Sequence, residues 1–461
     1  MPTAAARFAD FAVSLTYDAI PPEAVAAAKL HLLDTLGCAL ASHAVGLATE
    51  GTRIMSAQGG SAAATLIGGG ERVPAPSAAF ANAMLAHGLD FDDTHSGSMT
   101  HVSAVVGPAA LAAGEARGAD GRTAIAAIVA GSEIVTRIGL AVPRRFHARG
   151  FHATSVCGVF GAAAAAARLG ELALERATSA LGIAGSFAGG LFAYLDEGTA
   201  TKPVHPAWAA HGGVLAAELA GHGAEGPSTV LEGRFGLYHA FVDAEPGSVD
   251  LETQLRDLGS RWETPRIAYK PYPACHFVHA SVGAAASLRD AIDLGEVEAI
   301  EVTIPEAAVP IVLEPADVKR APRSEYEGKF SLPFCVAAML ATGRVDVATF
   351  GPDALADETI RELARKVTYR VHDYASWPGA YPGGIRVTLR GGRVLEADQP
   401  YQLGSPENPM AREQIVEKFR GNASLALGDA DVEALESAID ALEQQDGLAH
   451  AVEPLRRART S

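Results

Sequence analysis

The chain has 461 residues, of which 48% are hydrophobic, and a formal net charge of −17 at pH 7. This length is typical of about two or three domains with a large buried core. The acidic balance argues against nucleic acid as a partner, because binding a phosphate backbone requires a basic surface.

Cysteine usage and apolar patterning favour a soluble cytoplasmic protein. The four cysteines are scattered, with no CxxC pair, which argues against a disulfide scaffold and an iron–sulfur cluster. The N-terminal apolar stretch contains Arg7 and Asp10, unlike a signal peptide. The longest apolar run, residues 156–167, is shorter than the roughly 20 residues that cross a bilayer.

Helical patterns dominate the first two-thirds of the sequence. Pro21 and Pro22 open a helix in which Leu32, Leu36 and Leu40 recur at helical spacing. Many segments are rich in alanine and glycine, and small side chains let helices approach closely, so we expect a tightly packed bundle. Further helices are predicted at residues 76–88, 103–117, 121–140, 154–168, 171–185 and 206–221.

The pattern changes at about residue 267. Residues 299–305 and 366–373 alternate with β-branched side chains, and residues 383–398 predict two strands around a Gly-Gly turn. Between these segments, helices are predicted at 278–292, 325–342 and 354–365. Helical patterns return after about residue 405.

These elements predict a mainly α fold. A large all-helical domain formed by both chain ends comprises residues 1–266 and 396–461, and a smaller α+β domain, residues 267–395, is inserted between them.

Four short segments hold most of the polar, ionisable candidates. If they converge in the fold, they form a pocket with several positive charges and at least one carboxylate, which suits proton transfer on a small anionic substrate. The segments are HGLDFDDTH at 87–95, followed by His101; RGFHATS at 149–155; TKPVH at 201–205; and YKPYPACHFVH at 269–279.

Each segment also has a purely structural interpretation. Aspartates and a threonine after a helix are typical caps and turn residues, and aspartate with histidine also suits a divalent metal. His152 precedes a helix N-terminus, where a bound anion is favoured, but a loop histidine fits there as well. Lys202 and Lys270 precede prolines and Lys329 precedes an apolar helix, positions that also suit surface or loop lysines. No nucleotide-binding loop and no GxSxG elbow of a serine hydrolase occurs.

Taken in order along the chain, six segments resemble the MmgE/PrpD family, which includes 2-methylcitrate dehydratase, cis-aconitate decarboxylase and iminodisuccinate epimerase. They are LDTLGCALA at 33–41, HGLDFDDTH, GFHATS, TKPVHPAWAAHGG, YKPYPACHF and KFSLPF. The resemblance covers nearly the whole chain, and the ordered set is specific although each piece alone is weak. It implies a homodimer, a lid role for the α+β domain, and no metal or organic cofactor. KPYPACHFVH is closer to the generic branch of the family, whose substrates are varied, so the substrate stays open.

The resemblance also implies an active site. His95 competes with His101, because His101 lies one residue further from Thr94 than in the decarboxylases. We add Tyr272 and Lys329 to Thr94 and His276 as substrate-binding candidates. The family's pattern maps onto Asp90, Thr94, His101, His152, Lys202, Lys270 and His276.

We therefore expect a cofactor-independent lyase that dehydrates a small hydroxy-di- or tricarboxylic acid, similar to 2-methylcitrate dehydratase. Negative charge develops on a carbon next to a carboxylate, and Lys202 and Lys270 would stabilise it. His152 or His101 would act as base or acid, with Asp90 orienting a histidine or Thr94.

Several alternatives stay open. Within the family they are epimerisation of an amino- or imino-dicarboxylate and decarboxylation of the cis-aconitate type. Outside it they are a non-catalytic acid binder and a metal-dependent hydrolase built on Asp90, Asp92 and His95. We expect a small anionic carboxylate as the partner, and neither nucleic acid nor a membrane.

Overall fold

A computed structural model describes residues 2–460 of the chain. Its helices and strands divide between two compact units. The first consists of residues 2–88, 92–267 and 411–460, and the second of Leu89–Phe91 and Ala268–Met410. The fold is mainly α, with a large helical unit formed by both ends of the chain and a smaller α+β unit, as predicted.

The elements are labelled in chain order. The first unit contains α1 (Ala4–Ser14), α2 (Pro22–Ala44), α3 (Glu50–Gln58), the strand pair β1 (Ala64–Thr65) and β2 (Arg72–Val73), α4 (Ala75–His87), α5 (Ser103–Arg117), α6 (Gly121–Leu140), α7 (Arg145–Ala148), α8 (Ala153–Leu169), α9 (Leu174–Ala184), α10 (Tyr194–Glu197), α11 (Val204–Gly221), α12 (Leu237–Val242) and α13 (Glu252–Leu255). The second unit contains α14 (His279–Leu288), β3 (Val297–Ile304), α15 (Val309–Val312), α16 (Ala316–Arg320), α17 (Glu325–Lys329), α18 (Leu332–Thr342), α19 (Pro352–Ala356), α20 (Glu358–Arg365), β4 (Val367–Val371), β5 (Gly383–Leu389) and β6 (Val394–Gln399). The first unit then resumes with α21 (Arg412–Ala423), α22 (Asp429–Asp440) and α23 (Leu448–Ala451).

Small residues determine how closely the helices of the first unit pack. Residues 156–167 of α8 are all buried, and α8 packs against α6 and α11. Where α6 meets α8, a Cβ added at Gly161 would lie 2.6 Å from the carbonyl oxygen of Gly131, and one added at Gly131 would lie 2.8 Å from that of Gly161. Any larger residue at either position would push the two helices apart.

The C-terminal segment completes the core that the first helices begin. Helix α21 packs against α2, and a Cβ added at Gly37 would lie only 3.1 Å from the ring of Phe419. The buried Lys418 Nζ lies 2.7 Å from Asp34 Oδ1 in the same contact. Because a buried charge is tolerated only with a partner, this pair joins the two ends of the chain specifically.

The second unit is built on a four-stranded sheet in the order β4-β3-β5-β6. Strand β3 pairs in parallel with β4 and antiparallel with β5, and β5 pairs antiparallel with β6. The predicted Gly-Gly turn between β5 and β6 is confirmed: Gly391 and Gly392 both have φ of 84°. Helix α14 packs on β5 and β6 and against α18, so Val302 and Val387 are buried between sheet and helices.

Three predictions for the second unit differ from the structure. The helix predicted at 325–342 is divided into α17 and α18, because the Ser331 hydroxyl accepts a hydrogen bond from the Phe334 amide (3.1 Å) and begins a new helix. Asp357 similarly begins α20 within the helix predicted at 354–365. The predicted boundary at residue 395 falls inside β6, which the second unit contains in full.

Two helices of the first unit, α2 and α6, are long and apolar enough to cross a membrane, judged by length and composition alone. Of the most apolar 18-residue stretch in each, 78% in α2 and 89% in α6 is buried inside the protein. Such burial is typical of core helices in a globular fold.

Candidate functional site

Five histidines of the first unit form a cluster, which we call the histidine cluster: His87, His101, His147, His152 and His205. The ring centroid of His152 lies 5.2–6.1 Å from those of the other four. His87 ends α4, His101 lies just before α5, His147 lies in α7, His152 is the N-cap residue of α8, and His205 lies in the first turn of α11. Helix ends therefore bring together residues that lie far apart in the sequence.

Backbone contacts fix the position of two of these histidines. The His152 amide donates to the carbonyl of Gly190 (2.9 Å), and the Ser155 hydroxyl donates to the carbonyl of His205 (3.0 Å). Gly190 has φ of 99°, and a Cβ there would lie 3.2 Å from the His205 ring. A glycine is therefore needed for the close approach of this loop to the cluster.

Asp92 lies between two histidines of the cluster. Its Oδ1 lies 2.9 Å from His87 Nδ1 and its Oδ2 lies 3.1 Å from His101 Nδ1. Burial alone would raise the pKa of the Asp92 carboxyl, but the two histidines more than offset burial and hold this pKa well below its usual range. The carboxylate is therefore ionised and accepts from both rings.

These contacts determine which nitrogen of His101 carries its proton. Besides Asp92, His101 Nδ1 lies 2.9 Å from the carbonyl oxygen of Asp93 and 3.4 Å from the Thr94 hydroxyl. A carbonyl and a carboxylate only accept hydrogen bonds, so Nδ1 carries the hydrogen and Nε2 presents a lone pair. His87 Nδ1 likewise donates to Asp92, and the buried Nε2 of His87 has no hydrogen-bond partner among residues 2–460.

His152 and His205 face each other directly. Their Nδ1 atoms lie 3.0 Å apart, and both side chains are buried. At this distance one nitrogen must donate and the other accept, so the two neutral rings have opposite tautomers.

Burial and positive neighbours lower the pKa of four histidines of the cluster, which keeps these four rings neutral at pH 7. Burial, followed by charges that include Lys202, lowers the pKa of His147 to about 3 and that of His205 to about 4. Burial also lowers the pKa of His101 to about 4, although Asp92 opposes the shift. The pKa of His152 is well below its ordinary value for the same reason, with Lys202 the largest contributor after burial. Bound carboxylates would reverse this effect and favour protonated rings.

The cluster also contains the elements of a metal site. One ring nitrogen from each of His87, His101 and His152 lies within 4.8 Å of the others, and three imidazoles are a common ligand set for zinc. Lys202 acts with a positive charge on His101 and His152, which opposes a second cation at the same place.

The second unit contains a buried lysine–carboxylate group. Lys270 Nζ donates to both the carbonyl oxygen and Oδ1 of Asp90, each at 2.7 Å. Asp90 has φ of 52°, a conformation that aspartate tolerates better than most residues. Burial lowers the pKa of Lys329, although its ion-pair partner Glu325 and, more weakly, Asp90 oppose the shift.

Aromatic contacts surround His276 in the same unit. Its ring stacks on Tyr381 at 4.6 Å and lies 4.8 Å from the ring of His279. His279 Nε2 lies 3.1 Å from the carbonyl of Ala274, a structural contact that holds the segment. Burial raises the pKa of Tyr272 to about 12, so its phenol is protonated at neutral pH.

The predicted site residues thus fall into two groups, one in each unit. Asp90 binds Lys270, and Asp92 contacts His101. That Asp90 orients a histidine or Thr94 stays a prediction. The first unit contains Thr94, His101, His152 and Lys202, and the second contains Asp90, Lys270, Tyr272, His276 and Lys329.

His95 and Asp93 have structural contacts. His95 Nε2 lies 3.3 Å from Glu263 Oε2 and its Nδ1 lies 2.9 Å from the Ser98 hydroxyl, so His101 rather than His95 joins the histidine cluster. Asp93 accepts from the amide of Ser103 (3.1 Å) at the start of α5, the capping role that aspartate often has.

Sequence reasoning did not assign four residues of this region. His87 and Asp92 lie within HGLDFDDTH, and His205 lies within TKPVH, so the segments were identified but not these pairings. Their spacing along the chain gives no sign that His87 binds Asp92 or that His205 faces His152. His147 has no recognisable signal in the sequence.

The protein is mainly α, with a helical unit made from both chain ends and an α+β unit. The helical unit contains a buried imidazole–carboxylate cluster, a set of groups suited to acid–base chemistry. Residues 6–249 match the MmgE/PrpD N-terminal domain and residues 272–444 the MmgE/PrpD C-terminal domain. The chain belongs to the MmgE/PrpD family.

Its relatives include three proteins named cis-aconitate decarboxylase. The one from Mus musculus is 31% identical over 395 residues, which cover 81% of this chain and 76% of the relative. The one from Homo sapiens is 32% identical over 386 residues, which cover 81% of this chain and 77% of the relative. The one from Aspergillus terreus is 27% identical over 472 residues, which cover 96% of this chain and 94% of the relative.

Proposed function

We propose that this protein is a cofactor-independent lyase that acts on a small di- or tricarboxylic acid by general acid–base catalysis. The observation that carries the proposal is the buried histidine cluster, with Asp92 on His87 and His101 and the positive charge of Lys202 acting on His101 and His152. The relatives named cis-aconitate decarboxylase support a carboxylic acid as the substrate class.

The first candidate reaction is decarboxylation, which those relatives favour. The bond from carbon to a carboxylate breaks, its electron pair stays on carbon, and a protonated imidazole supplies the proton that replaces CO₂. Lys202 would stabilise the developing charge, and the substrate's other carboxylates would raise the pKa of His101 and His152 enough for one ring to act as the acid.

The second candidate reaction is dehydration, which the tautomer of His101 favours. A neutral imidazole with its lone pair on Nε2 is a base, and it would remove the proton on the carbon next to a carboxylate. His152 would then donate a proton to the leaving hydroxyl group. Each positioned proton transfer contributes roughly 10²- to 10⁴-fold to the rate.

Further roles are proposed for the other predicted residues. We propose that Lys270 and Asp90 contribute to catalysis as a pair, because breaking a buried ion pair leaves an uncompensated charge. We also propose a cytoplasmic homodimer, and the four buried free cysteines support a reducing compartment. Substrate-binding roles are proposed for Thr94, Tyr272, His276 and Lys329.

Proton NMR in D₂O with a panel of di- and tricarboxylic acids tests the proposal. Loss of CO₂ identifies a decarboxylase, and interconversion of hydroxy acid and alkene identifies a dehydratase. Exchange of a carbon-bound proton without net conversion identifies an epimerase and overturns the lyase assignment. His101→Gln is expected to abolish turnover, and EDTA is expected to leave it unchanged. A folded wild-type protein that returns every acid unaltered would contradict the proposal.

A further inference from the structure

The proposed reaction uses His152 but gives no role to His205, whose ring faces it. The two Nδ1 atoms lie 3.0 Å apart, and the side chains are 2% and 6% exposed. Ser155 and Gly190 hold the backbones of the two residues, through the His205 carbonyl and the His152 amide. The contact is therefore built into the fold rather than formed by two mobile surface side chains.

The chemistry of two facing imidazole nitrogens allows only one arrangement of protons between them. Two lone pairs repel each other at this distance, and so do two N–H groups, so a single proton lies between the Nδ1 atoms. In the neutral pair, the ring that donates at Nδ1 has its lone pair on Nε2, and the other ring has its hydrogen on Nε2. Moving the shared proton alone would leave an imidazolate beside an imidazolium, so transfer between the Nδ1 atoms must accompany the gain or loss of a proton at Nε2.

We propose that His205 is a positioning residue that relays the proton of His152 during the acid–base reaction. With a carboxylate substrate bound, the pair holds one extra proton, and the positive charge is shared between the two rings. When His152 Nε2 gives its proton to the substrate, the Nδ1–H bond of His205 breaks and an Nδ1–H bond forms on His152, so the pair becomes neutral. Uptake of a proton at His152 Nε2 reverses these steps. This inference rests on the proposed function, because it assumes that His152 transfers a proton.

The surroundings of the pair explain why sharing the charge matters. Lys202, His101 and His87 act on His152, and His87 and Lys202 act on His205. The ring of His147 lies 6.1 Å from that of His152. The remaining ring neighbours are aromatic: Phe192 lies 5.5 Å from His152 and Tyr194 lies 5.7 Å from His205. A positive charge confined to His152 is unfavourable beside the positive charge of Lys202, and spreading it over two rings reduces the cost.

His205→Asn separates a relay from a static hydrogen bond. The Asn side-chain oxygen can accept from His152 Nδ1 but cannot take up its proton. We expect this variant to keep its KM within about threefold, to lose roughly 10- to 100-fold in kcat, and to show an altered pH profile of kcat. His211→Asn is the matched control, because His211 lies on the same helix and its Nδ1 bonds the carbonyl of Pro76 (2.9 Å). Wild-type kcat and pH profile in His205→Asn would overturn the relay.

Nitrogen NMR of ¹⁵N-histidine-labelled protein tests the relay without any substrate. In the wild type, at the acidic pH where the pair takes up one proton, exchange of the shared proton should give both Nδ1 nuclei shifts between those of protonated and unprotonated nitrogens. In His205→Asn, His152 Nδ1 should move to the fully protonated value. Fixed, unlike shifts for the two Nδ1 nuclei of the wild type at that pH would overturn the relay even if the variant did not fold. If the wild type converts no acid, the proposed function fails while this measurement still decides the relay.

Discussion

Replacing Asp92 with asparagine removes the control of proton positions at His87 and His101. The carboxylate accepts from both Nδ1 atoms, at 2.9 and 3.1 Å, whereas an asparagine offers one oxygen and one NH₂ group. One ring must therefore switch its proton to Nε2, and if that ring is His101, the lone pair needed for catalysis is lost. In serine proteases the corresponding exchange lowers kcat by about 10⁴.

The expected loss here is smaller because His101 keeps a second acceptor. The carbonyl of Asp93 still lies 2.9 Å from His101 Nδ1 and favours the original tautomer. We therefore expect Asp92→Asn to lower kcat by about 10²- to 10³-fold, or roughly 3–4 kcal/mol in activation free energy. Stability should fall by about 1–3 kcal/mol, because one buried donor loses its acceptor.

Steady-state kinetics and urea denaturation of two neighbouring variants check this reasoning. Asp93→Asn is the matched control: its carboxylate is equally buried but contacts His31 (2.8 Å) and the amide of Ser103 (3.1 Å). It should lose stability to a similar extent but keep kcat within about threefold. Equal losses of kcat in both variants, or wild-type kcat in Asp92→Asn, would refute the assigned tautomer of His101.

Three further predictions concern binding, pH and packing. In steady-state assays with the acid that is converted fastest, Lys202→Met should raise KM and lower kcat by about 10²-fold. The control variant Lys29→Met, which removes an ion pair with Glu443, should change neither constant. Unchanged kinetics in Lys202→Met would show that Lys202 is not part of the site. In the unfolded chain a histidine binds a proton near pH 6.5, whereas folded His101 binds one only near pH 4. The free energy of unfolding should therefore decrease by up to about 3 kcal/mol as the pH falls from the first value to the second. A flat profile in urea titrations would contradict the burial of neutral rings. Gly121→Ala should destabilise the protein by about 1–3 kcal/mol, since the added Cβ would lie 1.5 Å from a backbone carbonyl oxygen. Gly421→Ala, where nothing lies within 4 Å, should stabilise the protein by about 0.5–1 kcal/mol. Thermal unfolding that ranks the two variants otherwise would refute the packing argument.

Local patterns were sufficient to predict most of the elements. The helices at 103–117 and 121–140 and the hairpin of β5 and β6 agree with the structure because their spacing, caps and turn glycines are local properties of the chain. The break between α17 and α18 was missed, although Ser331 and Pro333 give a local signal for it: serine is a common N-cap residue, and proline is favoured in the first helical turn. The boundary at residue 395 was placed inside β6 because strand pairing depends on a partner strand elsewhere.

The sequence by itself determined the family, the mainly α fold from both chain ends, and the segments that contain the ionisable residues. Only the tertiary structure decided that Asp92 contacts His101, that Asp90 binds Lys270, and that His205 faces His152. Asp90 and Asp92 are two residues apart and chemically identical, so no local pattern distinguishes them. Which histidine each side chain meets depends on where α4, α8 and α11 end in space, and those positions are fixed by packing between distant segments of the chain.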